Sequence, residues 1–292
     1  MDNFEIGGGT GADPFPAGKN GEESGALLLS SPRGDAYYWL RRCPQEGAPW
    51  LVLLHGAGMD HSVFRETAEY FSRSANVLTP DLPRHGMSED YSEFTLRSCA
   101  YDVRDMLNSE GAERAYIAGH CIGGCAAQAF ARLFPEYCAG LALIDTFPFG
   151  QSAYRGWACA ALGNMAGLLR VMPARAFAAA LSGAFSVTAQ GSRRLMEIML
   201  RQNTASAADA LADTISELGT ARPPEGCFPT LVMVGEHDRV PGIRILGERA
   251  AREFTVPLAR IPGAGHTPYL DNPAAFRRAL EDFVFGLVPA TV

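Results

Sequence analysis

The chain has 292 residues, 47% of them hydrophobic and 20% charged, with a net charge of −7, enough for one large α/β domain or two small ones. The acidic balance argues against a nucleic-acid-binding face, which needs basic side chains against phosphate. Seven cysteines, odd in number and scattered, show no CxxC pair and no Cys/His ligand spacing, which excludes a disulfide framework and a zinc site as expectations and favours a reducing, cytoplasmic setting.

Residues 1–25 are rich in Gly, Pro and acid and predict a flexible tail. Gly7, Gly9 and Ala12 within it fit G-x-G-x-x-G/A, but Asp13-Pro14-Phe15-Pro16 follows and cannot open a dinucleotide-binding helix, so no organic cofactor is expected. No charged segment followed by an apolar run opens the chain, so no secretion signal is expected. The most apolar stretch, 156–187, is broken by Arg170, Pro173 and Arg175, and no membrane span is expected.

Strands and helices then alternate. GALLLSS and DAYYWLRR predict a hairpin turning at Pro32-Arg33-Gly34. WLVLLHG (50–56) and ANVLTPDLP (75–83) are continuous apolar runs, the pattern of strands buried on both faces. Residues 95–111 predict a helix stopped by Gly111, followed by a strand at 115–118, a helix at 122–134 and a strand at 141–147. Residues 148–227 carry no strand signal and predict two or more helices, one running from a Ser206 cap to Gly219. A strand at 229–235, a helix at 242–253, a strand at 257–262 and a last helix capped by Asn272 complete the chain. This alternation gives a mostly parallel sheet covered on both sides. The segment 148–227 cannot join such a sheet and is expected over one edge as a cap.

A parallel sheet places its site at the carboxyl ends of its strands. Those ends carry His55-Gly56-Ala57-Gly58, Gly119-His120-Cys121-Ile122-Gly123, Gly235-Glu236-His237-Asp238 and Gly263-Ala264-Gly265-His266, in that order. With LLHGAG, DLPRHGMS, GHCIGG, GEHD and GAGH the sequence resembles the α/β-hydrolase superfamily across about residues 26–288. The departure is Cys121, where most members carry serine. The resemblance implies an eight-stranded sheet with helices on both faces, a core of 26–147 and 228–292, and a helical cap of 148–227. It further implies a nucleophile–acid–His chain order, here Cys121, Asp238 and His266.

The residues support those roles. In G-x-C-x-G the side chain rises at a sharp strand-to-helix turn, and bulk at Gly119 or Gly123 would clash. The following helix points its positive end at the sulfur, which favours a thiolate. The Ile122 and Ala57 N–H groups are the expected oxyanion donors. His266, in a Gly-rich loop free to swing, is the expected base, with Asp238 on its other nitrogen; Asp145 is the rival acid. Cys125, His120, His55, His85 and Asp81 are expected to be structural, and His237 to point away. The expected substrate is a small molecule with an ester, thioester or lactone carbonyl and an apolar acyl or aromatic group, free or held as a thioester on a carrier. Trp157, Met165, Leu168, Leu169, Met172, Phe177, Phe185, Leu195 and Met199 are the candidate lining, and no metal is expected. Hydrolysis and acyl transfer both fit, as do a lyase or cyclase, or a ligand-binding protein with an idle triad.

Overall fold

In the computed structural model, residues 6–8, 25–91, 94–150 and 157–286 are described. The expected tail therefore lies outside the described residues except for a three-residue strand, β1 (Ile6–Gly8). The expected hairpin is β2 (Leu27–Ser31) and β3 (Gly34–Arg41), and β1 pairs antiparallel with β2. Then follow β4 (Trp50–Leu54), α1 (Arg65–Phe71), β5 (Asn76–Pro80), α2 (Leu96–Ser109), β6 (Ala115–His120), α3 (Ile122–Leu133) and β7 (Cys138–Ile144). Four helices come next: α4 (Trp157–Arg170), α5 (Ala174–Phe185), α6 (Ala189–Met199) and α7 (Thr204–Leu218). The chain closes with β8 (Thr230–Gly235), α8 (Ile243–Glu253), β9 (Leu258–Ile261), α9 (Pro268–Asp271) and α10 (Pro273–Val284).

The sheet order is β1-β2-β3-β5-β4-β6-β7-β8-β9. The expected eight strands are β2 to β9, and β1 extends the antiparallel edge; from β5 to β9 every pairing is parallel. Alternation along each strand sends side chains to opposite faces. Val52, Leu54, Leu141, Leu143, Val232 and Val234 pack with α2, α3 and α8 on one face. Leu51, Leu53, Ala142, Ile144, Leu231 and Met233 pack with α1 and α10 on the other. Both faces are apolar, which is why these strands read as unbroken hydrophobic runs.

Two local expectations change. Asn203, not Ser206, caps α7: its Oδ1 accepts from the Ala205 and Ser206 N–H groups. Asn is as good a cap as Ser, and Asn203, three residues earlier, satisfies the first free N–H groups of a longer helix than the sequence pattern indicated. Helix α1 gave no clear sequence signal, being only seven residues long. Between β7 and β8 the described residues hold helices and no strand. Leu169, Phe177, Phe185 and Leu211 from these helices line a cavity with Cys121 at the carboxyl end of β6 rather than along a lateral edge, those edges being β1 and β9.

Candidate active site

Strand β6 ends at His120 and α3 begins at Ile122, so one residue must make the turn. Cys121 makes it with φ 53° and ψ −118°, a left-handed conformation that costs a non-glycine residue about 1–3 kcal/mol. Its backbone is tied down to hold this shape. The Cys121 N–H donates to the Ile144 carbonyl at 3.2 Å, and its carbonyl accepts from the Gly124 and Cys125 N–H groups and the Thr146 hydroxyl. The flanking glycines are required by space. A Cβ on Gly119 would lie 2.2 Å from the Gly123 carbonyl oxygen, and one on Gly123 would lie 2.4 Å from the carbonyl oxygens of Leu54 and His55. Gly124 is equally constrained, 2.4 Å from the Thr146 hydroxyl. The sequence motif did not mark it.

His266 lies beyond β9 and is fully buried. Its Nδ1 lies 2.9 Å from Asp238 Oδ2, and Asp238 Oδ1 accepts from the Val240 N–H at 2.8 Å. Its Nε2 is buried without a hydrogen-bond partner. Burial works against a charged ring, but the Asp238 carboxylate and then the Cys121 sulfur outweigh it and hold His266 well above the usual imidazole value. Asp238 is itself buried, which opposes its charge, yet the His266 ring keeps its carboxyl below the usual range. Cys121 and His266 line the same cavity, and Ala57 lines it with them. Ile122 opens α3, so its N–H has no intrahelical acceptor. Among the described residues, neither the Ala57 nor the Ile122 N–H donates to a loop or turn carbonyl.

Asp145 is fully buried, with φ 37°, and both its oxygens face the Gly235 N–H at 2.9 and 3.1 Å. It pins the end of β7 to the end of β8. Burial and then the Asp238 charge push its carboxyl well above the usual value, and it lies behind the Asp238–His266 pair. Oxygen and nitrogen atoms of these three residues lie within 4.8 Å of one another.

The expectation of a freely swinging His266 loop is corrected. The Gly265 N–H donates to Asp271 Oδ2 at 2.8 Å, the His266 carbonyl faces His120 Nε2 at 2.8 Å, and the Thr267 N–H donates to the Phe185 carbonyl at 3.1 Å. A carbonyl can only accept, so His120 carries its proton on Nε2 and its Nδ1 accepts from Tyr269 Oη at 3.1 Å. Burial, and next His266, lower His120 well below the usual value, which keeps it neutral. Sequence reading gave His120 a structural role without its partner. Asp271 was missed. Its two oxygens accept from the Ser186 hydroxyl, the Val187 N–H, the Thr188 N–H and hydroxyl, and the Gly265 N–H, joining the α5–α6 turn to the His266 loop. Asp271→Ala leaves these donors unpaired, at about 1–3 kcal/mol for each that water cannot reach. Thermal unfolding is expected to fall by about 5–10 °C, with a larger fractional loss of activity than Asp271→Asn, which keeps an acceptor.

The other predicted residues fall where their packing puts them. His55 Nδ1 donates to the Gly56 carbonyl at 2.9 Å and Nε2 accepts from the Leu82 N–H at 3.0 Å, so both nitrogens are occupied. Asp81 fixes the loop after β5, accepting from the His61 and Met87 N–H groups at 2.7 and 2.8 Å. His85 is buried with Nδ1 on the Pro83 carbonyl at 3.0 Å, and Cys125 is buried beside Thr146 and Phe147. His237 is exposed beside Glu236.

The cavity has a volume of about 120 Å³. Pockets for drug-sized ligands run from roughly 300 to 1,000 Å³, so in this closed shape it fits a short acyl chain or a small ring. Leu169, Phe177 and Phe185 line it as expected, joined by Leu181, Leu211 and Ile215. Leu168 does not: it is 65% exposed on the outer face of α4. Leu195 and Met199 are buried against the sheet-side core, and Met172 packs beside Leu169 and Phe177. The side chains of Trp157 and Met165 lie outside the described residues.

The sequence matches the family model described as "Alpha/beta hydrolase family" over residues 51–279. A pimeloyl-[acyl-carrier protein] methyl ester esterase of Chromobacterium violaceum is 29% identical across 80% of this chain and 93% of its own length. Among solved structures, a thermophilic esterase from Thermogutta terrifontis superposes with a TM-score of 0.73 at 21% identity, covering 90% of this chain and 99% of its own. An enol-lactonase from Burkholderia xenovorans LB400 gives a TM-score of 0.73 at 20% identity, covering 88% and 99%. At these identities the two structures establish a shared fold. Among the described residues no helix is long and apolar enough to cross a membrane.

Proposed function

The chain belongs to the alpha/beta hydrolase family, and from that premise we propose that Cys121 is the nucleophile of an acyl-processing enzyme in which His266 is the base and Asp238 the acid. One arrangement carries this reading. An imidazole with Nδ1 on a carboxylate and Nε2 unpartnered shares an apolar cavity with a sulfur at the N-terminus of a 12-residue helix. Cys121 immediately precedes the first residue of α3, so the positive end of that helix lies beside the sulfur.

The thiolate forms a bond to the carbonyl carbon of an ester, thioester or lactone, and the carbonyl oxygen takes up the displaced electron pair. The Ala57 and Ile122 N–H groups receive that charge, each worth about 3 to 4 kcal/mol in comparable sites. The intermediate collapses, the bond to the leaving oxygen or sulfur breaks, and His266 gives the leaving group its proton. The thioacyl enzyme then meets water or another nucleophile, whose proton passes to His266 as it attacks. The segment 148–227 acts as the cap that decides which nucleophile enters. The acyl group sits against Leu169, Phe177 and Phe185. A carrier-bound substrate falls within the reading, since one relative's name specifies an acyl-carrier protein.

The test is rapid mixing with S-butanoyl-N-acetylcysteamine. The reading expects a burst of thiol equal to the enzyme concentration, followed by steady release. Binding of the thioester with no thiol released contradicts it.

A further inference from the structure

Arg239 follows Asp238, whose side chain turns inward to His266. It lines the same cavity as Cys121, yet its own side chain is exposed, which places it at the opening. Among the described residues it is the one residue of permanent charge on that lining. The acids that could neutralise it are engaged elsewhere. Asp238 is held by His266 and the Val240 N–H, and Glu236 by the Gly263 N–H and His237. On α7, Asp209 pairs with Arg170 and Asp213 with Arg84. Among the described residues Arg239 has no carboxylate partner.

A guanidinium beside an apolar wall is poorly served by water on that side and is shaped to bind a carboxylate or phosphate with two parallel hydrogen bonds. The wall itself recognises only apolar surface. We infer that the site takes an amphiphilic acyl substrate, its short apolar acyl group inside the cavity and an anionic group on the leaving side held by Arg239 at the mouth. This rests on the acyl reading above and deepens it. The anion is a carboxylate on a small leaving group or a phosphate on a longer carrier arm; the chemistry Arg239 recognises is the same.

Three butanoyl thioesters separate the cases: N-acetylcysteamine (neutral), thioglycolate (carboxylate) and coenzyme A (phosphate). Arg239→Gln is expected to lower kcat/KM about five- to tenfold more for an anionic thioester than for the neutral one, the difference appearing in KM. Arg239→Lys recovers part of the loss. The thioester with the larger loss identifies the source of the anion. Equal effects on all three, or none, overturn the inference. Binding is tested without turnover by calorimetry with the unreactive thioether S-butylthioglycolate and its neutral amide. Where the carboxylate is the source, the acid binds more tightly than the amide to the unsubstituted protein and equally to Arg239→Gln; equal binding of acid and amide together with an unchanged kcat/KM for butanoyl-coenzyme A in Arg239→Gln overturns the inference. If the neutral thioester turns over and loses turnover in Cys121→Ala while Arg239→Gln changes nothing, the acyl reading stands and this inference fails alone.

Discussion

Cys121→Ala is expected to abolish the thiol burst and lower kcat on a butanoyl thioester by roughly 10⁴- to 10⁶-fold, the scale seen when a triad loses its nucleophile. The Ala57 and Ile122 N–H groups and the cavity survive the substitution, and they account for any residual rate. The alternative role for a thiol that is 4% exposed is packing. Truncating it then costs about 1 kcal/mol of stability through a small void and leaves turnover intact. Thermal unfolding and steady-state kinetics on the same protein separate the two. The φ of 53° at Cys121 favours the reactive role, because packing alone gives no reason to hold a non-glycine residue there.

Asp238→Asn is the second large effect, an expected loss of about 10²- to 10⁴-fold in kcat/KM. The upper figure is that of a serine triad whose histidine is left in the wrong tautomer. Thiolate is intrinsically the better nucleophile, so a cysteine enzyme can lose less. The pH profile tests the cause. Burial lowers the His266 value, while the Asp238 charge and the Cys121 sulfur raise it. Removing the Asp238 charge leaves burial less opposed, so the His266 value falls. The alkaline limb of kcat/KM, which reports loss of the imidazolium beside the thiolate, moves to lower pH. A uniform loss with an unmoved profile would assign Asp238 a merely structural part. Asp145→Asn leaves the hydrogen bond between Asp238 and His266 in place and does not move that limb downward.

Much of this was legible in the sequence because it is local. The apolar runs of β4 and β7 answer to a sheet buried on both faces. Gly119 and Gly123 answer to contacts made within a few residues of the same turn or with the adjacent strand. That Cys121, Asp238 and His266 would be brought together was readable because each follows a strand end in a recognisable order. What escaped is long-range and side-chain directed. Asp271 gathers donors from residues 186–188 and from Gly265, and nothing near it in sequence marks it as a hub. The His266 loop looked free because glycines permit motion; hydrogen bonds from elsewhere in the fold remove it. Leu168 looked like cavity lining because composition cannot say which face of α4 turns inward. Its neighbour Leu169 is 7% exposed while Leu168 is 65% exposed. Arg239 gave no signal at all, since its meaning lies in the apolar wall it ends.

The most direct test is to quench the protein during turnover of S-butanoyl-N-acetylcysteamine, digest it, and locate the acyl group by peptide mass. The account predicts one butanoyl group per chain, on the Cys121 sulfur, appearing within the burst and absent from Cys121→Ala. Butanoyl carried on another side chain such as Cys125, or full turnover by Cys121→Ala, would contradict it.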